Sequence, residues 1–162
     1  MNFAKTFASF VVKKPNQMSK VEDFLTKEEE QDVIEAIKLA ENNTSGEIRV
    51  HIEKTTSVDV YERAKAVFNE LKMYNTKESN GVLIYVAVES KQFAICGDKG
   101  IDKVVENNFW ESTKNTMAKA FKNGNYKIGL VNGIIVAGEQ LKKYFPYQND
   151  DIDELSNEIS KG

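Results

Sequence analysis

The chain has 162 residues, of which 41% are apolar and 29% charged, and its formal net charge at pH 7 is -3. This composition predicts one globular domain with a substantial core and excludes a disordered chain. The negative net charge argues against a general nucleic-acid-binding protein, and the sequence has no apolar stretch long enough to span a bilayer.

Cysteine and histidine each occur once, at Cys96 and His51. An internal disulfide is therefore impossible, and a zinc site built from several Cys and His ligands is excluded. Any metal site must use oxygen ligands. Residues 1–15 contain a weak apolar run without the hydrophobic core and small-residue cleavage site of a secretory signal, so we expect a cytoplasmic protein.

The chain divides into three parts. Residues 1–23 are expected to form a leader, as a short helix or a flexible arm. A domain over residues 24–146 follows, and residues 147–162 are expected to form an acidic flexible tail. The first helix begins after Thr26, which fits an N-cap with Glu29 completing a capping box. Apolar residues then recur at helical spacing.

Two types of strand pattern occupy the middle of the chain. Residues 47–53 alternate between apolar and polar side chains, which predicts a strand with one polar face. A second helix is predicted between this strand and the next. Residues 82–88 are apolar throughout, which indicates a central strand buried on both faces. A hairpin-length turn at residues 89–92 leads to a returning strand at residues 93–96.

Two helices are predicted in the last third of the chain, over residues 109–122 and 126–144. Gly129 and Gly133 lie on one face of the second helix, which predicts close packing against a neighbouring element because glycine otherwise costs helix stability. The element order α-β-α-β-β-α-α predicts an α/β fold. We expect a three-layer α/β/α sandwich, with a small mixed central sheet and helices on both faces.

Carboxylates follow the returning strand at intervals of four, at Asp98, Asp102 and Glu106. The carboxyl end of a strand is a common ligand position in α/β folds, and acidic oxygens there suit a hard cation such as Ca²⁺ or Mg²⁺. Gly97 and Gly100 allow tight turns that gather oxygens, and such flexible loops favour Ca²⁺ because Mg²⁺ demands stricter octahedral geometry. The alternative is that Asp98 caps a turn or helix and that the other two carboxylates are solvated.

Three more carboxylates are candidate ligands, and each has an ordinary alternative. Glu47 begins a strand and can reach the same sheet edge, or it can pair on the surface with a basic residue. Glu78 lies close to Asn80 before the buried strand, where Asn-Gly turn chemistry is the alternative. Glu111 follows Trp110, which is either the wall of a pocket or a helix-packing residue.

His51 and Cys96 offer little for catalysis. His51 lies on the polar side of its strand with no visible nucleophilic partner, so a structural or surface role is favoured over a general base. A cysteine-phosphatase loop would need an arginine six positions after Cys96, and Asp102 stands there. We therefore expect Cys96 to be a buried small apolar residue. The sequence also lacks a Walker-type phosphate loop.

Five short motifs occur along the chain in a characteristic order. They are Leu25-Thr26 with the acidic helix start, then Ser45-Gly46-Glu47-Ile48-Arg49-Val50, then Asn80-Gly81 with the buried strand, then Gly97-Asp98-Lys99-Gly100-Ile101, and then Phe121 to Tyr126 with Gly129-Leu130. Together they resemble the TPM domain family, also called TPM phosphatase domains, of photosynthetic and bacterial proteins. The resemblance covers roughly residues 24–146. Ser79 stands where family members often carry Asp before the Asn-Gly pair.

The resemblance implies a small α/β/α module with a divalent-cation site, often for Ca²⁺, at the loops on one edge of the sheet. Some members are described as acid phosphatases. We therefore hold three functional hypotheses. The first is a Ca²⁺-binding or Mg²⁺-binding domain of a short bacterial form, with an unknown cellular role. The others are a metal-dependent phosphomonoesterase and a protein-interaction module with an unidentified partner. Neither nucleic acid nor a membrane is an expected partner.

Overall fold

The computed structural model describes residues 6–10, 24–148 and 154–162. Within these ranges the strands are β1 (Thr6–Ser9), β2 (Glu47–Glu53), β3 (Gly81–Ala87), β4 (Gln92–Gly97) and β5 (Ser160–Lys161). They form one mixed sheet in the order β1-β4-β3-β2-β5. Strand β2 runs parallel to both β3 and β5, whereas β4 runs antiparallel to β3 and β1.

Helices cover both faces of this sheet. They are α1 (Lys27–Glu41), α2 (Val60–Glu70), α3 (Lys99–Asp102), α4 (Glu111–Lys122) and α5 (Tyr126–Lys142). Helix α2 packs on one face, over β4 and β3, and α1, α4 and α5 form the layer on the other face. The predicted α/β/α sandwich is confirmed. None of the described helices has the length and apolarity needed to cross a bilayer.

Strand β3 connects the two halves of the core. All seven of its residues are buried. Val82, Ile84 and Val86 point into the cluster with α1, α4 and α5, while Leu83 and Tyr85 pack on the side of α2. The unbroken apolar run is therefore a strand with helices on both faces, as expected.

The start of α1 has the predicted capping box. The side chain of Thr26 accepts a hydrogen bond from the backbone N–H of Glu29 at 3.1 Å, and the Glu29 carboxylate accepts one from the backbone N–H of Thr26 at 2.9 Å. Two N–H groups at the helix start are satisfied in this way, which fixes where α1 begins.

Both chain ends add a strand that the sequence does not predict. Residues 6–9 pair with β4, where a flexible arm or short helix was expected, and residues 160–161 pair with β2 within the expected flexible tail. Without these pairings β4 and β2 would each present an unpaired edge. Strands of four and two residues are too short to show a period-2 pattern. Residues 11–23 and 149–153, including Ile152, lie outside the described residues.

The predicted close approach at the glycines of α5 is confirmed. A Cβ atom on Gly129 would lie 2.6 Å from two ring carbons of Phe121, and one on Gly133 would lie 2.5 Å from Cγ of Met117. Phe121 is fully buried, and its ring has edge contacts with Phe10 and Phe93 at centroid distances of 5.1 and 5.4 Å. The ring therefore has little room to move away.

We predict that Gly129→Ala destabilises the protein by up to about 2 kcal/mol, because overpacking costs about 1–3 kcal/mol and the gain in helix propensity returns about 1 kcal/mol. Urea unfolding measures the change. Asn132→Ala, at an exposed position of the same helix, is the matched control and should stay within about 0.5 kcal/mol of wild type or be more stable. A stabilised Gly129→Ala variant would contradict the close packing.

Candidate functional site

Three of the predicted cation ligands, Glu47, Glu78 and Asp98, lie at the end of the sheet where β2 and β3 begin and β4 ends. Glu47 pairs with Gly81 across β2 and β3, and Val82 pairs with Gly97 across β3 and β4. The backbone N–H of Asp98 then donates to the carbonyl of Gly81 at 2.9 Å. The antiparallel hairpin thus brings the loop after β4 beside the loop before β3.

Asp98 is the N-cap of the short helix α3 and is only 9% exposed. Its Oδ1 atom accepts a hydrogen bond from the backbone N–H of Lys99 at 2.7 Å. Its Oδ2 atom is buried and has no hydrogen-bond partner among the described residues. Because buried polar atoms are nearly always satisfied in folded proteins, this oxygen marks a place for a cation or a water molecule.

Asp102 ends the same short helix and carries a shifted pKa. Burial, with the negative charge of Asp98, raises the pKa of Asp102 to about 6. The two carboxylates are therefore close enough to repel one another. Asp102 and Glu106 also line a cavity of about 10 Å³ together with Tyr61 and Trp110. This volume holds about one water molecule or one ion.

The loop before β3 supplies a second unsatisfied oxygen. Asn80 is 1% exposed, and its Nδ2 atom donates to Oγ of Ser45 at 3.2 Å. The same hydroxyl donates to Oε2 of Glu78 at 2.6 Å. The Oδ1 atom of Asn80 is buried without a hydrogen-bond partner in the described part of the chain. The Ser45 hydroxyl thus bridges Glu78 and Asn80, and the amide oxygen of Asn80 makes no hydrogen bond with the described residues.

Gly100 joins the two loops. Its N–H donates to the carbonyl of Ser79 at 2.8 Å, and Ser79 itself adopts a left-handed backbone with φ 52°. A Cβ atom at position 100 would lie 2.1 Å from the carbonyl oxygen of Glu78. Only glycine permits this approach. The backbone carbonyls of Glu78 and Ser79 therefore lie against the turn that follows Asp98.

Glu47 lies at the same edge but faces a different group. It is 3% exposed, and its Oε1 atom accepts hydrogen bonds from the backbone N–H groups of Glu154 and Leu155 at 2.8 and 2.6 Å. The space above Gly81 is filled by the carbonyl of Met73 and the side chain of Leu155, at 3.0 and 3.5 Å from a Cβ placed there. The structure therefore ties Glu47 to the segment 154–162 rather than bringing it to the carboxylates of α3.

The remaining predicted ligands are further dispersed. Glu111 is exposed in the first turn of α4 and pairs with Lys114 at 3.0 Å. Trp110 is buried and packs edge-on against Phe109, so it both lines the small cavity and packs in the core. Within residues 6–10, 24–148 and 154–162, no group of three or more His, Cys, Asp or Glu side chains is placed to hold an ion. A cation at Asp98 would need amide, carbonyl or water oxygens as well.

Cys96 is buried, as expected, at 5% exposure. Burial, reinforced by the negative charge of Asp102, raises the pKa of the Cys96 thiol to about 12. The thiol therefore stays protonated near neutral pH and is a poor nucleophile.

The opposite end of β2 carries a buried polar network that the sequence does not reveal. Arg63 donates from Nε and Nη2 to the two carboxylate oxygens of Glu53, both at 2.8 Å, and the Tyr85 hydroxyl donates to the same carboxylate. Burial alone would raise the pKa of Glu53, but these hydrogen bonds and one from His51 lower it to about 2. The polar pattern of β2 was visible in the sequence, whereas its partners come from α2 and β3.

His51 belongs to this network. Its Nε2 atom lies 3.2 Å from Oε1 of Glu53, and its Nδ1 atom lies 2.9 Å from Oγ of Ser160 in β5. Burial lowers the pKa of His51, which keeps the ring neutral at pH 7. The imidazole thus connects β2 to the terminal strand.

Comparisons with known proteins identify a family and a similar solved structure. The sequence profile of the TPM domain matches residues 18–140. An NMR structure of the BA42 protein from the psychrophilic bacteria Bizionia argentinensis sp. nov. is 62% identical in sequence and superposes with a TM-score of 0.84. The match covers 90% of this chain and 100% of that one. None of the curated proteins matches the chain.

The Glu53 network predicts a specific loss of stability in acid. The pKa of Glu53 lies near 2 in the folded protein and near 4.5 in the unfolded chain. Its contribution is therefore complete above pH 4.5 and is lost as the pH falls towards 2. Between pH 5 and pH 2, wild type should lose roughly 2–3 kcal/mol more unfolding free energy than Glu53→Gln.

Urea unfolding across this pH range measures the difference. Glu111→Gln, which alters an exposed carboxylate, should keep the steep wild-type dependence. Parallel curves for Glu53→Gln and wild type would show that the network does not hold Glu53 ionised.

Proposed function

The chain belongs to the TPM domain family, and from that premise we propose that it binds a divalent cation where β4 ends and β3 begins. Asp98 is the proposed central ligand. The observation that carries the proposal is its buried Oδ2 atom, which has no hydrogen-bond partner in the described structure. A bound cation would satisfy this oxygen and remove the cost of burying it unpaired.

Neighbouring oxygens support the same proposal. The Oδ1 atom of Asn80 is a second buried acceptor without a hydrogen bond, on the loop that Gly100 holds against the acidic turn. Asp102 would add a second carboxylate, and a cation would relieve the repulsion that raises its pKa. Amide, carboxylate and carbonyl oxygens are the ligands that Ca²⁺ takes in proteins.

Calcium is the proposed ion ahead of magnesium. The available oxygens come from two loops and mix side-chain with backbone groups, which suits the irregular coordination of Ca²⁺. Mg²⁺ demands near-ideal octahedral geometry and retains several waters. The proposed ligand set leaves out Glu47, Glu78 and Glu111, because their carboxylates are engaged by other groups. It also leaves out Glu106, which is exposed.

The phosphomonoesterase hypothesis stays a prediction. A bound cation would polarise phosphoryl oxygens and activate water. Cys96 adds no nucleophile, because its thiol is buried with a raised pKa. His51 lies towards the opposite end of β2, hydrogen-bonded to Glu53 and Ser160. An interaction module that uses the tail would first have to release residues 154–162 from their contacts along β2.

The cation proposal predicts a localised response to Ca²⁺. In an amide NMR titration with Ca²⁺, signals of residues 78–81 and 97–103 should shift and saturate. Asp98→Asn should weaken the affinity about tenfold or more, because it removes the charge of the central ligand. Glu111→Gln is the matched control and should bind like wild type, because Glu111 pairs with Lys114.

Two outcomes would overturn the cation proposal. One is an absence of shifts around Asp98 at millimolar Ca²⁺, and the other is unchanged affinity in Asp98→Asn. A parallel titration with Mg²⁺ tests the choice of ion, and Mg²⁺ should bind more weakly.

Catalysis can be tested with the same variant. If the cation at Asp98 supports phosphomonoester hydrolysis, Ca²⁺-dependent or Mg²⁺-dependent cleavage of p-nitrophenyl phosphate should fall in Asp98→Asn by at least tenfold, about 1.4 kcal/mol in transition-state free energy. Equal activity in wild type and variant would assign the reaction to another site or to a contaminant.

A further inference from the structure

The sequence contains two arginines, Arg49 and Arg63, and their environments differ. Arg63 donates to Glu53 through two nitrogens and to Glu70 through a third. Arg49 is half-buried, and it makes no hydrogen bond or ion pair with the residues that the structure describes. Its Nε atom is buried and unsatisfied. The Arg63 guanidinium is thus held by two carboxylates, whereas the Arg49 guanidinium makes no hydrogen bond with the described residues.

An unpaired guanidinium in this position is costly. Burial lowers the pKa of Arg49, but an arginine keeps its proton in proteins, so the side chain stays charged. A partly buried charge that makes no direct ion pair loses hydration, and no contact among the described residues replaces it at Arg49. The buried N–H of Nε adds the cost of an unmade hydrogen bond. An external acceptor at the other guanidinium nitrogens would offset the first of these costs.

The neighbours of Arg49 are held by other groups. Glu47, Arg49, His51 and Glu53 alternate along the polar face of β2. Glu47 accepts backbone N–H groups of the segment 154–162, and Glu53 is held by hydrogen bonds from α2 and β3. His51 lies between Glu53 and the terminal strand. The carboxylates of Glu47 and Glu53 cannot turn to Arg49 without breaking these contacts.

Arg49 is less covered than the other residues of β2. Helix α2 packs over β4 and β3, so the polar face of β2 lies at the margin of this helix layer. Residues 154–162 run along the outer edge of β2, from Glu47 at its start to Ile52 near its end. Arg49 lies between these two coverings and is half-buried, whereas the other six residues of β2 are buried.

We propose that Arg49 is the centre of a second site, which binds a small oxyanion, a phosphate or carboxylate group, on the polar face of β2. The planar guanidinium fork matches the two oxygens that either group presents. The flanking carboxylates of Glu47 and Glu53 oppose a second negative charge, so the affinity is weak. The site lies on β2, away from the acidic turn, and it does not depend on a cation there.

The two arginines make a direct NMR test possible. The side-chain Nε–H region of the spectrum should contain one signal for each, assigned with Arg49→Lys. Inorganic phosphate, phenyl phosphate and acetate are added in separate titrations, replacing chloride at constant ionic strength. The Arg49 signal should shift and saturate with at least one anion. The Arg63 signal should not move, because Glu53 already accepts its Nε–H.

Variants and a second readout complete the test. Phosphate or acetate should raise the thermal midpoint of wild type, and Arg49→Gln should remove this rise. Arg49→Lys, which keeps the charge but loses the fork, should bind at least tenfold more weakly. The matched control is Lys54→Gln, which removes the charge of an exposed lysine that pairs with Glu89. This variant should behave like wild type.

The outcomes separate the sources of the oxyanion. A response to both phosphates without acetate would support a phosphoryl group, and a response to acetate alone would support a carboxylate. The proposal is overturned if no anion moves the Arg49 signal, or if both arginine signals move together. It is also overturned if Arg49→Gln retains the anion-dependent rise in thermal midpoint.

Discussion

The arrangement of the molecule depends on β3, a strand buried on both faces and hydrogen-bonded on both sides. Its parallel pairing with β2 places the starts of both strands at one edge, and its antiparallel pairing with β4 brings the end of β4 to that edge. Asn80, Asp98 and Glu47 therefore converge there, although they come from three separate segments. The opposite edge collects Glu53 and Tyr85 for the same reason.

Strand β2 shows how one alternating pattern serves different purposes. Its apolar residues fill the core, and its polar residues Glu47, His51 and Glu53 are buried as well, whereas Arg49 is half-buried. Glu47 anchors the terminal segment through backbone N–H groups, and Glu53 forms a buried ion pair with Arg63. His51 connects Glu53 to Ser160 of the terminal strand. Arg49 has the same spacing and the same face, but it has no protein partner among the described residues.

Local signals in the sequence predict the features that depend on neighbouring residues. The capping box of Thr26, the alternation of residues 47–53 and the tight packing at Gly129 all follow from spacing within one element. Contacts between segments distant in sequence were not predictable. Examples are the two terminal strands, the hydrogen bonds from the tail to Glu47, and the convergence of Arg63 and Tyr85 on Glu53.

Unsatisfied buried atoms separate the two proposed sites by their chemistry. Folded proteins leave few buried polar atoms without a partner, so each exception points to a missing group. Where β3 begins, the unsatisfied atoms are acceptor oxygens of Asp98 and Asn80, and such oxygens attract a cation. On β2 a charged donor group, the guanidinium of Arg49 with its buried Nε–H, makes no hydrogen bond with the described residues, and a cationic donor attracts an anion. Because Leu155 and the Met73 carbonyl fill the space above Gly81, the acceptors at that edge are not continuous with the face of β2, and neither ion can serve for the other.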